Sequence, residues 1–106
     1  MTTRFEWDEK KAESNLKKHR VSFETALRAF NDPFAFVEQD RIENGELRWQ
    51  TTGLVDGHLL LLVAHAVEVV EDEAEKETIE VIDIISARRA DPKERKRYEQ
   101  NRSLQT

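Results

Sequence analysis

The stretch "HLLLLVAHAV" (58–67) constrains this chain more than any other. From Leu59 to Ala64 every residue is apolar, so no polar alternation marks a solvent-facing side. Such a run reads as a strand covered on both faces, and therefore as a central strand. With its extension to Val70 it holds two histidines and a glutamate and is too short to span a bilayer. Its neighbours also carry the period of two. "FAFVEQD" is one strand. "ELRWQTTGL" is another, with Leu47, Trp49 and Thr51 on one face and Arg48, Gln50 and Thr52 on the other. Asp56-Gly57 joins it to the apolar run, because a tight hairpin needs positive φ and glycine supplies it. "TIEVIDIISAR" is the next strand, reached through Glu71–Glu77 as an exposed loop or a projecting hairpin tip.

The N-terminal third has a helical period instead. After a short strand, "RFEW", Asp8 can cap a helix to about His19, with a thin apolar face of Ala12, Leu16 and the Asn15 side. Ser22 caps a second helix, its hydroxyl accepting from a free first-turn N–H. Val21 can staple onto Ala26. Phe23, Ala26, Leu27 and Phe30 form one buried stripe, and Asn31-Asp32-Pro33 ends the helix, since a residue before proline is pushed out of helical geometry. At the other end, Asp91-Pro92-Lys93-Glu94 is a capping box with proline at the first helical position. That helix runs to about Asn101 with Tyr98 as its one large apolar anchor. The order is β-α-α-β-β-β-β-α. It predicts an α+β fold: an N-terminal strand and two helices packed on an antiparallel sheet of about four strands, with a C-terminal helix. One sheet face is left to carry a site. The 106 residues fit a single domain, 1–106.

There are no cysteines, which excludes disulfides and thiolate metal sites. "MTTRFEWDEKK" lacks the apolar stretch of a secretory signal, so the expectation is a soluble cytoplasmic protein without a membrane partner. The net charge of −5 taken alone argues against nucleic acid, but its distribution matters more. Glu68–Glu80 holds seven acids and one base, Lys76, so the remainder of the chain is +1. Arg88–Arg102 carries seven bases against three acids.

Histidine titrates near neutrality and is the first place to look for chemistry. His19 ends the first helix, where a cation favours the dipole. His58 follows a turn and reads as solvated. His65 lies inside the most apolar strand, where a polar ring needs a partner or a cleft; it reads either as a satisfied core histidine or as a base or acid. Arg48 either snorkels to the sheet edge or faces a ligand. Arg88 and Arg89 are adjacent in a strand and must point to opposite faces, so only one joins a given cleft; Arg88 is the favoured one. The plain reading of Lys93, Lys96 and Arg97 is a solvated basic patch. Three glycines allow no phosphate loop, and no G-x-S-x-G or HExxH occurs. The acidic stretch lacks EF-hand spacing. An enzyme with this inventory works through arginine, histidine and tyrosine without cofactor or metal, the set suited to a phosphodiester.

"FEWDEKKAESNLKKHRVSFETALRAFNDP", "GELRW" and "IISARRADPKERKRYE" together resemble the BrnT family, over nearly the whole chain apart from Glu68–Glu77. The resemblance implies a RelE-like fold and the toxin half of a bacterial type II toxin–antitoxin module. That means a metal-independent ribonuclease that stops translation and is neutralised by a BrnA-like antitoxin in a hetero-oligomer. Operator DNA would be reached only through the antitoxin. The family's basic and polar set falls on Lys18, His19, Glu46, Arg48, His65, Arg88, Arg89, Glu94 and Tyr98. By analogy Arg48 and Arg88 hold the scissile phosphate, His65 or Tyr98 moves protons, and Lys17, Lys18, Arg89 and Arg97 bind RNA. The family usually has glycine where Arg20 stands, implying strain of roughly 1 kcal/mol at a left-handed helix end. It usually has arginine at Asp83. Asp83 and the acidic segment favour an alternative: a RelE-like interaction module that binds an antitoxin-like partner without efficient cleavage.

Overall fold

The computed structural model describes residues 1–105. β1 (Thr2–Trp7) leads into α1 (Glu9–His19), then α2 (Phe23–Leu27) and a 3₁₀ turn (Arg28–Asn31). Four strands follow: β2 (Phe36–Glu43), β3 (Glu46–Val55), β4 (Leu59–Asp72) and β5 (Glu77–Arg89), and then α3 (Pro92–Gln105). The sheet order is β1-β5-β4-β3-β2. The apolar run is thus the central strand. The last four strands are antiparallel, as the hairpin spacing predicts. β1 adds a fifth strand, parallel to β5, and makes the sheet mixed.

Local chemistry sets the punctuation. Asp56 and Gly57 both have positive φ (53° and 77°), the backbone of a tight hairpin turn between β3 and β4. Asn44 and Gly45 repeat it between β2 and β3. Asp8 and Ser22 cap α1 and α2 by accepting from Lys10 N–H (2.8 Å) and Thr25 N–H (3.0 Å). Arg20 ends α1 at φ 61°, left-handed, with its N–H on Leu16 C=O at 2.9 Å. The second helix is shorter than its apolar stripe predicts, because it tightens into the 3₁₀ turn at Arg28. There Ala29 lies against Gly53 of β3: a Cβ on Gly53 would stand 2.3 Å from the Ala29 carbonyl oxygen.

The core lies between the sheet and the N-terminal helices. Val21, Phe23, Ala26 and Ala29 pack on Val55, Leu61, Val63, Ile84 and Ala87. Burying each Val, Leu, Ile or Phe side chain among them is worth about 1.5–3 kcal/mol. Residues level with Leu61 and Val63 therefore share the helix face. Alternation places Arg48, Gln50, Thr52, Ala64, Ser86 and Arg88 on the opposite face.

Two irregularities shape the ends of the sheet. β1 pairs with β5 only as far as Trp7–Ile84. Beyond it α1 takes the edge, and Asn15 stands in for a strand. Its Nδ2 donates to Ala87 C=O (2.8 Å) and Val21 C=O (3.0 Å), while its Oδ1 accepts from Ala87 N–H (3.0 Å). At the other end β3 and β4 pair only from Trp49–His65 to Val55–Leu59. Past His65, β4 runs on with β5 as an arm and the β2–β3 hairpin diverges from it. The acidic stretch is the tip of that arm, a projecting hairpin closed by Asp72–Glu77. No helix among the described residues is long and apolar enough to cross a membrane.

Candidate functional site

Across the open face, Gln50, Ala64 and Ser86 lie side by side on β3, β4 and β5. Arg88, two residues beyond Ser86 on the same face, forks onto Glu94 of α3: Nη1 to Oε1 at 2.8 Å and Nη2 to Oε2 at 2.9 Å. Glu94 is itself fixed, since its Oε1 accepts from Asp91 N–H (2.9 Å) and Asp91 Oδ1 accepts from Glu94 N–H (2.8 Å). The capping box predicted from the sequence thus also aims an arginine. The hydrogen bond from Arg88 holds the Glu94 carboxyl below its ordinary value, against burial, and the same bond pushes the guanidinium up. The Arg88 side chain remains 40% exposed, so it can meet a ligand. Arg89 points the other way, as alternation requires, and is exposed.

Ser86 also lines a groove at the α1 edge of the sheet, about 410 Å³, walled by Lys10, Lys11, Ser14, Lys18 and His19 of α1 and by Ile85. Lys10, Ser14 and Lys18 recur every four residues and so share one helix face. Register shifts between β4 and β5 at Ala64/His65, leaving Ile85 as an extra residue that turns the strand toward α1. A basic track therefore runs from the groove through Ser86 to Arg88. Lys18 and His19 belong to it; Lys17, one residue away, does not line it. Lys10, Lys11, Ser14 and Ser86 went unread in the sequence, although the four-residue spacing on α1 was there to find.

His65 and Tyr98 serve the interior. His65 is on the helix face, 2% exposed, with its ring edge-on to Phe30 and its Nε2 2.7 Å from Thr51 Oγ1. Burial pushes its imidazole down to about 4, a backbone contact at Ala66 opposing in part. The sheet separates it from Arg48 and Arg88. Tyr98 lies on their side but is 3% exposed, stacked on Phe36. Its hydroxyl donates to Asp32 Oδ2 at 2.5 Å. Burial and the Asp32 carboxylate push the phenol up to about 12. Burial works to raise Asp32, but hydrogen bonds from Tyr98 and from the N–H groups of Leu54 and Phe34, with Arg102, outweigh it and hold the carboxyl below its ordinary value. Arg97 is paired with Glu38 and lies over the Phe36 ring.

Arg48 is on the open face but far from Arg88. One strand, β4, and about four residues separate them, roughly 17 Å between Cα atoms. Its side chain is 15% exposed, with Nε 3.2 Å from Glu46 at an angle too poor for a hydrogen bond. Beside it Glu6, Glu46, Glu68 and Asp83 ring an acidic cup of about 210 Å³. Burial raises the Asp83 carboxyl; Lys11 pulls it down, Glu46 and Glu6 add to the rise, and Arg48 opposes. The predicted arginine pair is thus split between an acidic cup and a basic track. Among the described residues no three His, Cys, Asp or Glu side chains are arranged to hold a metal ion.

Residues 7–94 match the model of a family described as the ribonuclease toxin, BrnT, of type II toxin–antitoxin systems. Among solved structures, the 1.1 Å crystal structure of the Brucella abortus ribonuclease toxin BrnT is similar at 21% identity and TM-score 0.49, covering 86% of this chain and 99% of that one. No curated protein matches.

Proposed function

The chain belongs to the BrnT family of ribonuclease toxins of type II toxin–antitoxin systems, and from that premise we propose that it cleaves RNA along the basic track from α1 to Arg88. The observation that carries this reading is the groove itself. Lys10, Lys11, Lys18 and His19 face Ser86, and Arg88 follows on the same strand with a guanidinium braced by Glu94. Cations spaced along a groove recognise a phosphate backbone without reading bases.

The cleavage proposed is metal-independent. The RNA's own 2′-hydroxyl attacks phosphorus, its proton passes to a base, and the 5′-oxygen leaves with a proton from an acid. A 2′,3′-cyclic phosphate results. Arg88 and Lys18 stabilise the charge that gathers on the phosphoryl oxygens. His19 is the imidazole within reach of that path. Buried His65 and clamped Tyr98 support it from within the fold, and Arg48 contributes from the far end of the face. A BrnA-like antitoxin neutralises the toxin in the cytoplasm, and operator DNA is met only through that antitoxin.

The test is cleavage of a defined RNA, with and without EDTA, by wild type and by the Ala variants of Lys18, His19, Arg48 and Arg88. The expected result is cyclic-phosphate product in EDTA and losses of at least tenfold for Lys18, His19 and Arg88. Full activity in both Arg48→Ala and Arg88→Ala sinks the reading. The acidic cup around Arg48 favours the second reading, a partner-binding module with little cleavage. Expression alone and then with the neighbouring gene separates the two: growth arrest relieved by the neighbour marks the toxin, whereas co-purification without arrest marks the module.

A further inference from the structure

Among the described residues no strand pairs with the outer edge of β4 from Ala66 to Asp72, because β3 stops pairing at His65. On its other side the same segment is fully paired with β5, and β1 covers β5 in turn from Ile79 to Ile84. As far as Val70 the arm is therefore three-stranded, with a two-stranded tip beyond, and one row of its backbone groups faces no strand. Its length is about 23 Å for seven residues. An unpaired edge of this kind is a template for another strand unless something blunts it. Val67, Val69 and Val70 are exposed along it, at 37%, 59% and 36%. Neither proline nor lysine occurs in the segment.

Charge decides what the edge accepts. Glu68–Glu80 carries a net −6. A second copy of the chain pairing β4 to β4 would bring two such arms into contact, and RNA would bring phosphates to carboxylates; both are repelled. A cationic strand gains instead from both terms: backbone hydrogen bonds along the edge and ion pairs with Glu68, Glu71 and Asp72.

We propose that the free β4 edge takes up, by strand addition, an extended segment of a protein partner in which Lys or Arg alternates with aliphatic residues. Main-chain pairing supplies the affinity, Val67 and Val69 on one face take the aliphatic side chains, Glu68 and Asp72 on the other select for basic ones, and Glu71 adds to the negative field. The surface is separate from the basic track, so a partner held here leaves the groove on α1 free for a second contact.

The probe is an eight-residue peptide alternating valine and lysine, titrated into the full chain at low salt, with amide exchange read residue by residue. The expected result is binding with new protection at Ala66–Asp72. Methylating alternate peptide nitrogens removes the strand bonds but keeps every charge, and should weaken binding at least tenfold. The double variant E68K/E71K, checked for an unchanged fold by circular dichroism, should lose at least tenfold as well. A valine–glutamate peptide should not bind. Equal affinity of the methylated peptide, protection elsewhere on the molecule, no binding, or wild-type dimers joined through β4 would each overturn the proposal. RNA cleavage is scored separately, so failure of the ribonuclease reading leaves this outcome intact.

Discussion

Asn15 hydrogen-bonds both backbone groups of Ala87, accepting from its N–H at 3.0 Å and donating to its carbonyl at 2.8 Å. An α-helix thereby continues the ladder that β1 begins on β5. The amide is 6% exposed, so water replaces none of these bonds. Asn15→Ala should cost about 2–3 kcal/mol, because the Ala87 N–H is left buried without an acceptor. Chemical denaturation measures the loss. Amide exchange at Ala87 should accelerate with it, and a stability change under 0.5 kcal/mol would remove the strand-substitute role.

His65 makes stability depend on pH in a defined window. Its folded value near 4 lies below the ordinary 6.5, so the fold favours the neutral ring. The unfolded chain therefore binds a proton first as pH falls. The stabilisation is complete above about 6.5 and is lost progressively toward 4, roughly 3 kcal/mol in all. Denaturant melts at pH 7 and pH 4.5 should show this drop in wild type and not in His65→Phe. The same slope in both proteins would assign it to another group.

Tyr98 ties α3 to the rest of the molecule through Asp32, which also accepts from Leu54 N–H at 2.8 Å and Phe34 N–H at 2.9 Å. Tyr98→Phe keeps the ring stacked on Phe36 and deletes the bond to a carboxylate, a loss of about 1.5–3 kcal/mol. Exchange should rise first in α3. RNA cleavage should stay within threefold of wild type at a temperature where the variant is folded; a larger drop would give the hydroxyl a part in the chemistry.

Gly53 has no room for a methyl group. The Cβ of an alanine would lie 2.3 Å from the Ala29 carbonyl oxygen and 3.0 Å from its carbon, both backbone atoms. Gly53→Ala should destabilise by about 3 kcal/mol. Gly53→Ala melting within 2 °C of wild type would mean that the 3₁₀ turn moves freely away from β3.

Asp83 is a cost at neutral pH. A carboxyl raised by burial and by Glu46 and Glu6 contributes stability only while protonated, and that contribution is lost as pH rises through its folded value. Asp83→Asn should therefore raise the melting temperature at pH 7 and leave it nearly unchanged at pH 3. Asp83→Arg should also raise RNA cleavage, by turning the cup from acidic toward basic beside Lys11. An unchanged or lower rate counts against the cup as a restraint on cleavage.

Much of this architecture was written in short-range signals. Asp56-Gly57, the alternation of Leu47–Thr52 and the Asp91–Glu94 box each act over a few residues, and each appears where the sequence puts it. Asn44-Gly45 was an equally strong turn signal that went unread. The parallel docking of β1 and the strand-like use of Asn15 depend on contacts over more than seventy residues, and the register shift at Ile85 on pairing across about twenty, which no local pattern encodes. The site was less legible for the same reason. Alternation separates Arg88 from Arg89, but which face meets α1, and that His65 turns inward to Thr51, follow only from how the sheet stacks on the helices.

The pairing of Thr2–Trp7 with Ile79–Ile84 has a consequence for the life of the chain. The first strand made has to wait for the last one before it finds its place. Loop closure on that scale makes folding slow relative to helical proteins of the same size. A growing polypeptide on the ribosome holds β1 and α1 without their partner, so the wall formed by Ile85 and Ser86 does not exist until β5 has been made. The groove on α1 is thus a product of long-range assembly: α1 carries its lysines from the outset, but the wall that turns them into a groove arrives with β5.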